Sequence, residues 1–321
     1  MPYLHEREDF KTLIDITARD EKIDDPSLVE KDYWIMHCLF ELKRIGLKFE
    51  LKGGTSLSKG FGVIDRFSED LDVHIEPDTK LVGFQVFAGK NHDKPSQIES
   101  RKKYFDWLAT YLKKHIPALV DVVRDEEFDD PSGRYRNGGV LLKYKTSYPL
   151  PPGIKDGILL EVGFDRTAPN EPRTISSWIF KKARTSNEKF DNNEAQTVPC
   201  YLTHYTFVEK LQAVVRKYRL YKESGSKKLP ANFLRHYYDL FKLIDLAQVQ
   251  KFIGTTEYEA FKKERFRGDD TKVSNSGAFN LQGPDLALFE KKYAATSSLY
   301  YRGQPPFARI LERLNKDLLR L

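Results

Sequence analysis

Two aspartates, Asp70 and Asp72, stand two positions apart in a stretch that alternates apolar and polar from Leu71 to Ile75. A period of two marks a strand, so both carboxylates leave the same face, close enough to share a divalent cation. Unshared, two such charges ~4 Å apart repel by about 1 kcal/mol in water, and by more as water is excluded. With 47 acids among 321 residues, about seven acid-x-acid pairs are expected by chance, so the pair draws its meaning from its neighbours. Upstream stand Gly53, Gly54, Thr55 and Ser56, after an alternating stretch at 48–52 and before a helical turn at 56–60. Glycines permit close backbone approach, and amides at a helix start, together with the hydroxyls of Thr55 and Ser56, can cradle the phosphates of a nucleotide. Lys52 and Lys59 are further phosphate candidates, and His74, on the acidic strand, reads as a packing residue at the strand edge.

A glycine turn, a helical segment and a strand carrying Asp-x-Asp, in that order, resemble the nucleotidyltransferase site of the DNA polymerase β superfamily. That resemblance implies two carboxylates holding Mg²⁺ on a triphosphate and a third on a neighbouring strand that helps activate the attacking hydroxyl. Leu160-Glu161-Val162 fits the third position, an acid between apolar residues, with Asp165 as its rival. More specifically the chain resembles the AbiEii/AbiGii-type nucleotidyltransferase toxins, including the mycobacterial MenT proteins, of type IV-like toxin–antitoxin and phage-defence systems. The residues that carry this are Glu30-Lys31-Asp32-Tyr33-Trp34, Leu51-Lys52-Gly53-Gly54-Thr55-Ser56-Leu57, Arg66-Phe67-Ser68-Glu69-Asp70-Leu71-Asp72, Phe207-Val208-Glu209-Lys210-Leu211-Gln212-Ala213 and Arg235-His236-Tyr237-Tyr238-Asp239-Leu240.

By that resemblance Asp70, Asp72 and Glu161 are metal ligands, Ser68 is an adjacent phosphate contact, and Lys210 and Asp239 are the lysine and aspartate of a helical domain that activity requires. Helical spacing agrees: Lys210 lies off the apolar stripe of Leu211, Val214 and Tyr218, and Asp239 off that of Phe233, Tyr237 and Leu240. Lys210 is then free to meet a triphosphate, with Asp239 orienting it or a base; the plainer alternative for Asp239 is a surface pair with Arg235, four residues before it. Arg66 is read as a partner of Glu69 or a phosphate contact. The chain departs from the pattern twice. Fifteen residues separate Gly54 from Asp70, more than the compact spacing of the superfamily, and His236 stands where an aspartate is expected.

The elements that must position these groups are legible in outline. Asp25 and Pro26 start a helix that runs to Gly46, helical periodicity returns at 97–117, and strands are expected at 140–145 and 158–164. The polar stretch 185–199 is the expected boundary between a nucleotidyltransferase domain, 1–198, and a helical domain, 199–321. Thr206 and Glu209 have capping-box spacing at the start of a helix, 222–232 reads as a basic loop, and a second amphipathic helix covers 233–244. The expected class is α+β: a polymerase-β-like mixed sheet followed by helices.

Composition sets the outer limits. Hydrophobic residues at 40% and charged residues at 31% describe a globular chain, and no stretch approaches the apolar length of a membrane span. Two cysteines, Cys38 and Cys200, make no disulfide framework, which points to the cytoplasm. Residues 1–200 carry 31 Lys and Arg against 34 Asp and Glu, whereas 201–321 carry 22 against 13. A basic second half suits a polyanion, with 222–228 and 265–272 as phosphate contacts. The expected reaction is Mg²⁺-dependent transfer of NMP from an NTP to an RNA hydroxyl, with two ions and Mn²⁺ as a substitute; the resemblance implies tRNA acceptor ends and a cognate antitoxin, which either binds the toxin or phosphorylates it, serine phosphorylation near Ser68 being a route the family suggests. Transfer to a protein hydroxyl, and a regulator that binds NTP or RNA without turnover, are the alternatives.

Overall fold

Asp25 accepts a hydrogen bond from the Ser27 amide and Pro26 takes the first helical position, so the first long helix begins where these two residues direct it. The computed structural model describes residues 1–150, 154–186, 189–225, 229–230 and 232–321. Its backbone divides into two units, one of Met1–Gly60 and Ser68–Tyr201, the other of Phe61–Phe67 and Leu202–Leu321.

The first unit runs α1 (Phe10–Glu21), α2 (Pro26–Arg44), β1 (Phe49–Lys52), α3 (Gly53–Thr55), β2 (Leu71–Ile75), α4 (Thr79–Val82), α5 (Pro95–His115), β3 (Asp121–Asp125), β4 (Asn137–Lys143), β5 (Ile158–Gly163), β6 (Asn170–Ile175), α6 (Trp178–Ala183) and β7 (Ala195–Tyr201). A single π turn, Ser56–Gly60, continues α3. The strands form one seven-stranded sheet in the order β3-β4-β5-β2-β1-β7-β6. It is mixed: β2 pairs with β5, and β1 with β7, in parallel, and the remaining neighbours are antiparallel. Leu51, Leu71, Val73, Leu160 and Val162 are fully buried on the apolar face, each contributing about 1.5–3 kcal/mol of transfer free energy. α2 lies against β7 and β5, and α5 against β3 and β4.

Three expectations change here. β7 starts inside the stretch read as a domain boundary, of which residues 187–188 lie outside the described set. β3 and β6 were not anticipated, and β4 begins three residues before the expected 140 because Asn137, Gly138 and Gly139 also pair with β5.

The second unit contains α7 (Thr203–Glu223), α8 (Arg235–Leu243), α9 (Ala247–Phe252), α10 (Thr256–Arg265), α11 (Gly283–Ala294) and α12 (Phe307–Asn315). Tyr237 meets Phe289 and Phe307 edge to face, and those two rings are tilted against each other. α7 begins a turn earlier than Thr206, whose hydroxyl donates to the Leu202 carbonyl at 3.1 Å, so the capping box does not form. Lys222 belongs to the last turn of α7, paired with Asp285 at 3.0 Å, and of the expected basic loop residues 226–228 and 231 lie outside the described set. Residues 61–67 account for the long interval between Gly54 and Asp70: they leave the first unit and return at Ser68.

Candidate active site

The register of the sheet lines up one row across five strands. Asp125 of β3 stands opposite Gly139 of β4, Gly139 opposite Glu161 of β5, Glu161 opposite Asp72 of β2, and Asp72 opposite Lys52 of β1. Cross-strand neighbours share a face, so Asp72, Glu161 and Lys52 project together. Asp70, one residue before β2, has the same parity as Asp72. Burial pushes the Glu161 carboxyl up to about 9, and the negative charges of Asp72 and Asp70 push the same way against Lys52 and Lys155. Lys52 meets Asp72 at 3.3 Å. Asp165 lies past the end of β5 and is exposed, so the acid that the register sets opposite Asp72 is Glu161.

The glycine turn serves these acids. Gly53 has φ +70°, and a Cβ on it would come within 2.6 Å of the Asp72 carboxylate oxygen Oδ2. Only glycine lets the backbone pass so near the acid. The Thr55 hydroxyl, read from sequence as a phosphate contact, donates to the Asp70 carbonyl at 2.7 Å and fastens the entrance of β2. Ser56 is fully buried and Gly54 half-buried; no side chain caps the amides at the start of α3. Lys59 is buried, with its ammonium 2.5 Å from Asp32 and 3.7 Å from the centre of the Trp178 ring, which makes it the counter-ion of Asp32. Ser68 is half-buried beside Glu69. His74 faces Glu50 at 3.2 Å instead of the acids.

A cavity of about 520 Å³ is lined by Arg124, Asp125, Glu126, Leu141, Lys155 and Asp156, of which Asp125 shares the row of Glu161 and Asp72. Among the described residues no three His, Cys, Asp or Glu side chains stand as a ready-made metal cage. The donor set itself is suited to a hard divalent cation: three carboxylates on one face, one of which resists ionising beside the other two.

In the second unit Asp239 is fully buried and receives a fork from Arg66, Nε at 2.7 Å and Nη2 at 2.8 Å, with Lys210 Nζ at 3.1 Å. Burial alone would raise its carboxyl; Arg66 and Lys210 outweigh that and hold it below the usual range. The surface pair with Arg235 is therefore not what Asp239 does, and Arg66 serves Asp239 instead of Glu69. Sequence reasoning had no signal for this partner, 173 positions away. His236 receives Lys217 Nζ on Nε2 at 3.0 Å; burial, then the charges of Lys210 and Lys217, hold it neutral. Arg265 pairs with Glu209 at 3.2 Å, whereas Arg267 and Lys272 are exposed. No described helix is long and apolar enough to cross a membrane.

The chain matches the model of the AbiEii nucleotidyl transferase toxin of type IV toxin–antitoxin systems over residues 34–313. A solved structure, an antigenic nucleotidyltransferase-like protein from Paracoccidioides brasiliensis, is similar at 13% identity and a TM-score of 0.36, over 75% of this chain and 96% of that one. No curated protein matches. The family match takes in the acids of β2 and β5 together with Lys210 and Asp239, and on it the chain belongs to the AbiEii nucleotidyltransferase toxins, a family of toxin–antitoxin systems.

Proposed function

We propose that the protein transfers NMP from an NTP to an RNA hydroxyl, with tRNA acceptor ends as the substrate and pyrophosphate as the leaving group, and that it depends on Mg²⁺. The observation that carries this reading is the pairing of Asp72 with Glu161 on adjacent parallel strands, with Asp70 beside them. Three acids gathered on one face repel one another, and a cation relieves that repulsion. Asp70, Asp72 and Glu161 would hold Mg²⁺, or Mn²⁺ in its place; such an ion neutralises charge on the phosphates and orients the reacting oxygens.

The chain's own groups supply the rest. Glu161, set opposite Asp72 on the neighbouring strand, is the third acid and would help activate the attacking hydroxyl once a bound cation has ionised it. Gly53 lets the backbone pass close to Asp72, and Thr55 holds Asp70 by its carbonyl. In the second unit Lys210 carries a point charge oriented by Asp239, which Arg66 fixes in turn. Exposed Arg267 and Lys272 suit an RNA backbone. Blocking acceptor ends would stop translation, an outcome in keeping with a toxin family that has a cognate antitoxin.

The test is incubation of the full chain with tRNA, Mg²⁺ and each labelled NTP in turn. Label should enter RNA with wild type and not with Asp70→Ala. Equal labelling by the two proteins refutes the assignment; label on polypeptide shows a protein acceptor, and NTP binding without pyrophosphate release shows a regulator.

A further inference from the structure

The block Glu30-Lys31-Asp32 puts three consecutive charges into the buried part of α2. Successive helical residues point about 100° apart, so each reaches a different segment. Glu30 accepts the amides of Ser147, at 2.8 Å, and Tyr148, at 3.3 Å, and Asp32 accepts that of Trp178 at 2.9 Å. Lys31, between them, donates from Nζ to the Lys155 carbonyl at 2.7 Å and stands 3.9 Å from the Glu69 carboxylate. The side chains of Lys31 and Glu69 are 0% and 6% exposed. An ammonium so enclosed is tolerated only with partners of this kind.

Those partners sit at two particular places. Glu69 immediately precedes Asp70 at the entrance of β2, and Lys155 lies three residues before the start of β5. β2 and β5 are parallel neighbours, so one lysine holds both entrances. We propose that Lys31 is a positioning residue, which sets Asp70 and Asp72 against Glu161 by tying together the entrances of the two strands that carry them. This rests on the reading of the three acids as a cation site. Glu30 and Asp32 tether the same helix to segments that carry none of the acids, which makes Glu30 a control for stability alone.

The sign of the effect separates geometry from charge. In Lys31→Met, removing a positive charge near Asp70 would by itself tighten cation binding, so weaker binding in that variant comes from lost positioning; the double variant removes one charge of each sign and is read beside it. The experiment follows Mn²⁺ binding to the full chain by the loss of the free-ion paramagnetic resonance signal, for wild type, Lys31→Met, Lys31→Met/Glu69→Gln and Glu30→Gln, with a thermal melt for each. The double variant removes the charge that Lys31→Met leaves buried on Glu69, and carries the test if the single variant folds poorly. Lys31→Met and the double variant should both bind Mn²⁺ about tenfold more weakly, and Glu30→Gln as wild type does. In NTP turnover the double variant should lose kcat while KM for NTP stays within about twofold. Wild-type or tighter Mn²⁺ affinity in the double variant overturns the proposal. If wild type itself binds no Mn²⁺, the cation-site reading falls and takes the proposal with it, an outcome visible before any variant is compared.

Discussion

Glu161 is a carboxyl whose folded environment resists its ionisation, which has a measurable sign. A proton bound more tightly in the native than in the unfolded state stabilises fully below the ordinary carboxylate range, and that contribution is lost as pH rises toward about 9. Glu161→Gln removes the loss. In the absence of divalent cation its melting temperature should exceed that of wild type, by more at pH 8 than at pH 5, while transfer activity disappears. An advantage of equal size at both pH values would contradict the account. Asp239 has the opposite sign: Arg66 and Lys210 hold its carboxyl low, so its stabilisation is present at neutral pH and lost as pH falls through its depressed value. Asp239→Asn leaves two cations around a neutral group and should cost about 3–5 kcal/mol in urea unfolding of the second unit. The roles of the two acids were unequally legible. Glu161 could be placed from the sequence because alternation carries an acid between Leu160 and Val162 to a known face. Asp239 could be placed only on its helix, since periodicity states which side of an element a residue occupies and nothing about which distant side chain meets it there.

At the scale of elements, the turn from β1 into α3 is the most constrained piece. Gly53→Ala would force a side chain to φ +70° and against Asp72. About 1–3 kcal/mol of strain should appear in thermal unfolding, together with loss of transfer that added Mg²⁺ does not restore. Gly46, also at positive φ but with open space where a Cβ would go, is the control: Gly46→Ala should share the backbone strain and spare activity. The strands that sequence reading missed show why pattern fails at a sheet's margins. β6 is an edge strand that contains Pro172, and β7 contains Pro199 opposite it, with Gln196 and Thr197 exposed. Neither alternates cleanly, and proline argues against a strand everywhere except where these strands lie, at or beside an edge. The central strands β1, β2 and β5 alternate because one face is sealed by the core, and these are the strands that carry the site.

For the whole chain, the division into units does not follow a single cut. The second unit includes residues 61–67, whose Phe67 amide donates to the Leu299 carbonyl at 2.7 Å and whose Arg66 neutralises Asp239. A fragment of residues 202–321 therefore retains Asp239 without its main counter-ion. It should melt at a lower temperature than the same fragment with a peptide of residues 61–67 added in excess, as read by circular dichroism, and the peptide's effect should vanish with Arg66→Met.

That borrowed segment also bears on the order in which a ribosome delivers the chain. Residues 61–67 emerge directly ahead of the strand that bears Asp70 and Asp72, yet the groups that receive them come much later, Asp239 173 positions after Arg66 and Leu299 later still. A product terminated before those groups would carry its acidic strand behind an untethered stretch.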